Sequence, residues 1–263
     1  MMLNNKIAVI YGAGGDIGSA VARAFAREGA KLFLSGHHLG PVKALASEIV
    51  TSGGVAEAAQ VDALNEQAVE KYVDSVAQKA GGIDLSFCAI SVARALQNKA
   101  PLLELSAHDF GLPIAAYTQA NFLTARSAAR RMIKKRSGVI LTITGIPSRV
   151  GFVNVGGTAP AYAALVALSR SLSAELGPQG VRVVCLMPHA IPETKTIRDN
   201  FALYAKAAGA SPAEYQARFE GTTHLRRLTT LAELANAATW VASDQASAMT
   251  GAVLNLSGGA VPD

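Results

Sequence analysis

A glycine-rich segment near the start of the chain has the composition of a phosphate-binding loop. Residues 12–18 read Gly-Ala-Gly-Gly-Asp-Ile-Gly and follow the apolar run Ile7–Tyr11. Small residues let the backbone approach a phosphate, and the N-terminus of a following helix offers free N–H groups and a partial positive charge. This strand–turn–helix setting predicts binding of a dinucleotide pyrophosphate. The expected contacts come from Gly12, Gly14, Gly15, Asp16, Ile17 and Gly18.

Asp16 is the charged residue of this segment. A carboxylate close to a pyrophosphate would be repelled, so its side chain is expected to turn away from the cofactor. We expect Asp16 to be the N-cap of a helix that begins at Ile17.

The end of the second apolar run bears on the type of dinucleotide. An acidic residue there would bond to the ribose 2′-hydroxyl of NAD and repel the 2′-phosphate of NADP. The chain instead has Gly36, followed by His37 and His38. The pattern favours NADP(H) over NAD(H), with the two histidines near the phosphate. The alternative is that both are solvated turn residues.

Short apolar runs alternate with longer helical patterns along the whole chain. This alternation predicts an α/β protein with a single-domain Rossmann fold over residues 1–263, built on a seven-stranded, mostly parallel, doubly wound sheet with helices on both faces. The predicted strands are Ile7–Tyr11, Leu32–Leu34, Ala58–Val61, Ile83–Ala89, Val139–Ile143, Val181–Leu186 and Ala252–Leu256.

Residues 189–227 depart from this alternation and carry two candidate helices rich in aromatic residues. An insertion there projects from the carboxyl ends of the strands, where ligands of open sheets bind. We expect it to be a substrate lid.

Composition bears on the other classes of function. The formal net charge is +5, and a basic cluster spans residues 126–136. No aromatic residue interleaves with that cluster, so solvated cations at a helix end are favoured over a nucleic-acid site. Cys88 and Cys185 lie in apolar segments, which predicts two buried thiols and no metal site. No apolar stretch reaches 18 residues, and we expect a cytoplasmic protein without a membrane partner.

Several segments together resemble the short-chain dehydrogenase/reductase family. Residues 11–18 are similar to its T-G-x-x-x-G-x-G loop, with Tyr11 in place of Thr and Asp16 in place of the middle Gly. Residues 174–183 and 231–259 are similar to the family's sixth-strand approach and its ending. The resemblance implies an NAD(P)(H)-dependent oxidoreductase with a small-molecule substrate, assembled as a homo-oligomer, a tetramer or dimer. It also implies cofactor contacts from Asp62, Ala63, Ala89, Pro188 and Ile191.

The resemblance places the family's catalytic tyrosine at Tyr162, where a helical pattern extends to Leu176. The family's lysine would lie at i+4 on the same helix face, and this position is Val166. A tyrosine with its ordinary pKa of about 10 is about 0.1% ionised at pH 7. Without a cation to stabilise the phenolate, Tyr162 can donate a proton more readily than it can accept one. Reduction is therefore the expected direction.

The other positions of the family's catalytic set also differ. Tyr117 stands where the family has Asn, and Gly145 where it has Ser, so Ser148 or Thr144 is the candidate replacement hydroxyl. Pro188-His189 replaces the family's Pro-Gly. His189, with an ordinary pKa of about 6.5, is a candidate acid or base at neutral pH. The alternative is a loop histidine that faces solvent or a neighbouring carbonyl.

The sequence favours reduction of a small or medium apolar carbonyl, with Tyr162, Ser148 and His189 as candidate catalytic residues. Two alternatives stay open. One is a cofactor-binding protein without hydride chemistry, such as a sensor or a structural subunit. The other is an enzyme of different chemistry, with His189 or Arg149 in place of the lost lysine.

Overall fold

A seven-stranded sheet lies at the centre of the computed structural model, which describes residues 1–91 and 100–262. The strands run in the order β3-β2-β1-β4-β5-β6-β7, and each neighbouring pair is parallel. The order reverses between β1 and β4, which opens a crevice at the carboxyl ends of the strands. The strands are β1 Ile7–Tyr11, β2 Lys31–Gly36, β3 Val55–Gln60, β4 Leu85–Cys88, β5 Gly138–Ile143, β6 Val181–Pro188 and β7 Val253–Leu256.

Helices cover both faces of the sheet. Side chains alternate along each strand, so Ile10 packs with α1, α2 and α8, whereas Val9 packs with α3, α4 and α5. The predicted α/β, doubly wound Rossmann-type fold is confirmed. The helices are α1 Asp16–Arg27, α2 Leu39–Thr51, α3 Glu66–Ala80, α4 Ala107–Met132, α5 Thr158–Leu176, α6 Lys195–Ala207, α7 Pro212–Gly221 and α8 Leu231–Ala242.

Several predicted boundaries were wrong by a few residues. β3 begins at Val55 because it pairs with β2 over its whole length, from Lys31–Val55 to Gly36–Gln60. Backbone pairing sets the length of this edge strand, and its polar residues gave no apolar signal. β4 was also wrong: it spans Leu85–Cys88 and is shorter than the predicted strand Ile83–Ala89. The helix expected from Tyr162 begins at Thr158.

The basic cluster of residues 126–136 pairs with carboxylates. Arg130 and Arg131 both bond to Glu70 of α3, and Lys135 bonds to Asp84. Arg130, Lys134, Lys135 and Arg136 are exposed, as expected of solvated cations, so the correction concerns Arg131. The acidic face of α3 packs beside the basic end of α4, and Arg131 is largely buried there.

The expected lid consists of α6 and α7, which lie between β6 and α8. Thr194 caps α6, and a Ser211–Glu214 capping box begins α7. Their aromatic side chains pack together, with the Phe201 and Phe219 ring centroids 5.1 Å apart. In the described part of the chain, no helix has the length and apolarity needed to cross a membrane.

Candidate active site

A cavity of about 340 Å³ lies at the carboxyl ends of the central strands, beneath α6 and α7. Its lining comes from the glycine loop, the ends of β4, β5 and β6, one face of α4, the start of α5, and helices α6 and α7. It therefore joins the predicted cofactor end to the predicted catalytic end. The predicted site residues that line it are Gly15, Asp16, Ile17, Ala89, Tyr162, Pro188, His189 and Ile191.

The glycine loop is folded tightly against the end of β4. Gly12 has a φ of +70°, and a Cβ there would lie 2.6 Å from the Ala89 carbonyl oxygen. A Cβ on Gly18 would lie 2.3 Å from the Gly12 carbonyl oxygen. Gly15 is the N-cap of α1 and forms no side-chain cap. The first-turn N–H groups are therefore left to an anionic ligand, so the loop fits a dinucleotide pyrophosphate.

Asp16 lies within α1 and bonds to the first turn of a different helix. α1 begins at Asp16 itself, so its prediction as the N-cap was wrong. Its Oδ2 accepts a hydrogen bond from the backbone N–H of Lys195 at 2.6 Å. Lys195 is the first residue of α6, whose positive end attracts the carboxylate. Asp16 thereby connects the glycine loop to the start of α6.

The residues expected near the adenosine half of the cofactor lie outside the cavity. His37 and His38 are exposed beyond β2, with their rings edge-on and 4.9 Å apart. Asp62 is also exposed, and its Oδ1 accepts a hydrogen bond from the Leu64 N–H at 2.9 Å. Ala63 is buried beside it. These residues follow β2 and β3 at the same edge of the sheet as the glycine loop.

Tyr162 is half-buried at the start of α5 and shares the cavity with Tyr117 of α4. The two ring centroids are 5.6 Å apart, with an interplanar angle of 68°. The neighbouring Tyr117, followed by burial, raises the pKa of Tyr162 well above its usual value. Within residues 1–91 and 100–262, no lysine or arginine lines the cavity.

The two candidate replacement hydroxyls, those of Thr144 and Ser148, differ in whether they line the cavity. Thr144 lines the cavity, and its Oγ1 donates to the Tyr162 carbonyl oxygen at 3.0 Å. Ser148 does not line the cavity, and its Oγ donates to the Gly145 carbonyl oxygen at 2.8 Å. The prediction of Ser148 as the replacement catalytic hydroxyl is corrected, because the turn at residues 146–148 directs it to the backbone.

His189 lines the cavity but is only 7% exposed. Burial lowers its pKa to about 4, so the imidazole is neutral at pH 7. Its Nδ1 accepts the Ala190 N–H at 2.6 Å, which leaves the proton of the neutral ring on Nε2. The expectation of acid–base chemistry near neutral pH is therefore corrected. At that pH the ring can offer a hydrogen-bond donor.

Asn121, which lies one turn beyond the position of the family's Asn, was not among the predicted site residues but lines the cavity. It is 2% exposed and lines the cavity one helical turn after Tyr117. Its Nδ2 donates to the Tyr117 carbonyl oxygen at 3.0 Å, while its buried Oδ1 has no hydrogen-bond partner among the described residues. Its i, i+4 spacing from Tyr117 was visible in the sequence, but its burial in the cavity was not.

Comparison with known proteins gives full-length matches. The family model described as enoyl-(acyl carrier protein) reductase matches residues 12–261. The chain is 31% identical to L-rhamnose 1-dehydrogenase (NAD(P)(+)) of Azotobacter vinelandii, covering 98% of each protein. It is 29% identical to 7alpha-hydroxysteroid dehydrogenase of Escherichia coli, covering 100% of this chain and 97% of that protein.

Solved structures agree with these relatives. Sorbitol-6-phosphate 2-dehydrogenase from Erwinia amylovora has a TM-score of 0.91 at 26% identity, covering 97% of this chain and 100% of that one. An NADP-bound protein described as a putative NAD(P)-dependent gluconate 5-dehydrogenase from Beutenbergia cavernae has a TM-score of 0.85 at 30% identity, covering 98% of each chain. Strand order, glycine loop and full-length relatives agree, and the chain belongs to the short-chain dehydrogenase/reductase family.

Proposed function

We propose that this protein is an NAD(P)(H)-dependent oxidoreductase that reduces a small or medium apolar carbonyl and prefers NADP(H). One observation carries this proposal: the hydroxyl-bearing Tyr162 lines the same cavity as the glycine loop and the aromatic lid. A reduced nicotinamide would supply the hydride. The chain's own residues bind the reactants, exclude water and donate a proton.

The cofactor-binding part of the proposal rests on backbone geometry. The free first-turn N–H groups of α1 would hold the pyrophosphate. Ala89, Pro188 and Ile191 line the cavity farther in, where they would contact the nicotinamide. Asp62 and Ala63 follow β3 and would contact the adenine. A relative described as NAD(P)(+)-dependent and an NADP-bound neighbour support a cofactor of this class.

The preference for NADP(H) rests on the end of β2. Gly36 supplies no carboxylate to repel a 2′-phosphate. Exposed His37 and His38 stand next along the chain, where their N–H groups would bond to that phosphate. A solved neighbour of 25% identity is described as NAD⁺-bound, so direct comparison of the two reduced cofactors decides the preference.

Tyr162 is the proposed proton donor. Its raised pKa keeps the hydroxyl protonated across the neutral range. A protonated phenol can donate to the oxygen of a carbonyl as negative charge develops there. Oxidation of an alcohol would require the phenolate, which this site disfavours. The direction of the pKa shift therefore supports reduction.

The lid end of the cavity supports an apolar, uncharged substrate. Phe152, Phe201 and Phe219 line it, and the Phe152 and Phe219 rings are stacked at 6.2 Å. Asp16 is the carboxylate of the described lining, and His189 is neutral at pH 7. An anionic substrate would lose its hydration there without gaining a cationic partner.

The test is oxidation of NADPH and NADH with a panel of ketones and aldehydes. Wild type should reduce apolar carbonyls, and Tyr162→Phe should lower kcat by about 10²- to 10⁴-fold, the usual contribution of a general acid. Tyr72→Phe, which removes a phenol of α3 outside the cavity, is the matched control and should retain the wild-type rate. Dinucleotide binding without turnover would favour a cofactor-binding protein instead.

We also propose a homo-oligomer, a dimer or tetramer. The support for this proposal is the family resemblance, and an interface would cover Phe122 of α4 and Trp240 of α8, which are 42% and 38% exposed. Sedimentation equilibrium should give a mass at least twice that of the chain. A single monomeric species at micromolar concentration would contradict this proposal.

A further inference from the structure

A buried histidine carries an unused hydrogen-bond donor in the cavity. His189 is 7% exposed, lines the cavity, and accepts the Ala190 N–H on its Nδ1 at 2.6 Å. The proton of the neutral ring is therefore on Nε2, and no described residue accepts a hydrogen bond from that atom. We propose that His189 is a second catalytic residue, whose Nε2–H holds the substrate carbonyl oxygen while Tyr162 donates the proton. This inference rests on the carbonyl reduction proposed above.

The sheet places His189 beside the position against which Tyr162 packs. β5 and β6 are paired, and just beyond β5 the Thr144 N–H bonds to the Leu186 carbonyl oxygen at 2.9 Å. Gly145 follows the first of these residues and His189 comes three residues after the second, so both lie at the carboxyl edge of the sheet. A Cβ on Gly145 would lie 3.0 Å from Cε2 of Tyr162. The Tyr162 ring therefore lies against the end of β5, and His189 follows the neighbouring strand.

Position 145 explains why a second donor matters. The resemblance places the family's serine at Gly145, which has no side chain to offer. The hydroxyls of Thr144 and Ser148 both donate to backbone carbonyl oxygens. A substrate carbonyl oxygen has two lone pairs and can accept from two donors at once. Tyr162 supplies one of these donors, and the Nε2–H of His189 is available as the other.

The surroundings of the imidazole make it a donor that keeps its proton. Burial lowers the pKa of His189 to about 4, so the ring is neutral at pH 7. The Phe219 ring of α7 packs against it at a centroid distance of 5.7 Å. A neutral imidazole releases its N–H proton far less readily than a phenol does, and it can polarise a carbonyl without being consumed. The other charged or titratable side chains of the described lining are Asp16, Cys88, Tyr117, Tyr162 and Tyr204.

The proposed step transfers one hydride and one proton. The carbonyl carbon takes a hydride from the reduced dinucleotide, and the electron pair of the C=O π bond moves to the oxygen. That oxygen takes the proton as the Tyr162 O–H bond breaks, and the bonding pair stays on the phenol oxygen. The N–H bond of His189 stays intact. Water returns a proton to Tyr162, so a carbonyl, a reduced dinucleotide and a proton give an alcohol and the oxidised dinucleotide.

The first test is kinetic. His189→Phe keeps a ring of similar size but removes the N–H, so kcat should fall about 10²- to 10³-fold, the usual cost of losing one donor to a developing oxyanion. His189→Gln, whose amide offers an N–H, should lose less than about tenfold. His108→Phe, on the exposed first turn of α4, is the matched control and should keep the wild-type rate. A wild-type kcat in His189→Phe, or equal losses in both His189 variants, would overturn the inference.

The second test needs no turnover. The ketone that wild type reduces best is labelled with ¹³C at its carbonyl carbon and bound together with the oxidised dinucleotide, which cannot deliver a hydride. Infrared difference spectroscopy then measures the C=O stretching frequency of the bound ketone, which falls when the oxygen accepts a hydrogen bond. We expect a lower frequency in wild type and His189→Gln than in His189→Phe. The same frequency in all three proteins would overturn the inference.

The outcomes separate the inference from the proposed function. A wild-type chain that binds NADPH but reduces no carbonyl would overturn the proposed function and, with it, the catalytic role of His189. An active reductase whose rate and carbonyl frequency do not depend on His189 would overturn the inference alone.

Discussion

The cofactor end and the catalytic end of the cavity differ in what they require of the sequence. At the cofactor end, Gly12 and Gly18 are required because any Cβ would overlap the backbone. At the catalytic end, Tyr162 has a tyrosine neighbour, a valine at i+4 and a glycine at 145. The tight backbone of the loop accepts only glycine at these two positions, whereas proton transfer can use several arrangements of side chains. The fold and the glycine loop therefore match the family pattern, whereas the residues around Tyr162 differ from it.

The largest effect is expected from a substitution in the glycine loop, at the cofactor end of the cavity. Gly12→Ala places a Cβ 2.6 Å from the Ala89 carbonyl oxygen at a φ of +70°. Overpacking and left-handed strain together should lower the free energy of unfolding by about 4 kcal/mol. Chemical denaturation measures this loss, and calorimetry should show no dinucleotide binding. Gly40→Ala, with open space around its Cβ, is the control and should bind normally. Normal binding by Gly12→Ala would refute the backbone requirement.

The next effect concerns His189 at the catalytic end. Because its pKa is lowered to about 4, the unfolded chain binds a proton that the folded chain does not between about pH 6.5 and pH 4. The neutral His189 therefore adds about 3 kcal/mol to the free energy of unfolding. This stability is fully present above about pH 6.5 and is lost as the pH falls through about 4. Urea unfolding of wild type and His189→Gln across this range should show a smaller decrease in the variant. The exposed His37→Gln control should match wild type.

A cation added beside Tyr162 sharpens the comparison. Val166→Lys places an ammonium group one helical turn from the phenol, and a nearby cation lowers a phenol pKa by about 1–3 units. The ratio of alcohol oxidation to carbonyl reduction at pH 7 should rise about tenfold or more. Ala167→Lys, on the exposed face of α5, should leave the ratio unchanged. Equal ratios in both variants would show that the missing cation does not set the direction.

The smallest effect tests cofactor choice. Gly36→Asp adds a carboxylate at the end of β2, and Val42 must move slightly because its Cγ2 lies 3.0 Å from the new Cβ. The NADPH dissociation constant should rise about tenfold relative to that of NADH, because the carboxylate repels the 2′-phosphate. Gly40→Asp is the matched control, since its surroundings are open. If Gly40→Asp weakened NADPH binding as much as Gly36→Asp, the effect would be a general charge repulsion and not a contact at position 36.

The sequence predicted those features that depend on residues close together in the chain. The boundaries of β1 and the glycine loop followed from apolar runs and glycine spacing. Asp16 was misassigned because its partner, Lys195, lies 179 positions later in the sequence. The neutral state of His189 depends on burial, including a Phe219 ring 5.7 Å away. Neither the direction of a side chain nor its burial follows from its neighbours in sequence.

The most direct measurement follows the transferred hydrogen itself. NADPH carrying deuterium at C4 of the nicotinamide is incubated with wild type and an apolar ketone, and the alcohol is analysed by mass spectrometry. We predict deuterium on the carbinol carbon, formed about 10²- to 10⁴-fold more slowly by Tyr162→Phe. Bound NADPH that transfers no deuterium to any carbonyl of the panel would contradict the account.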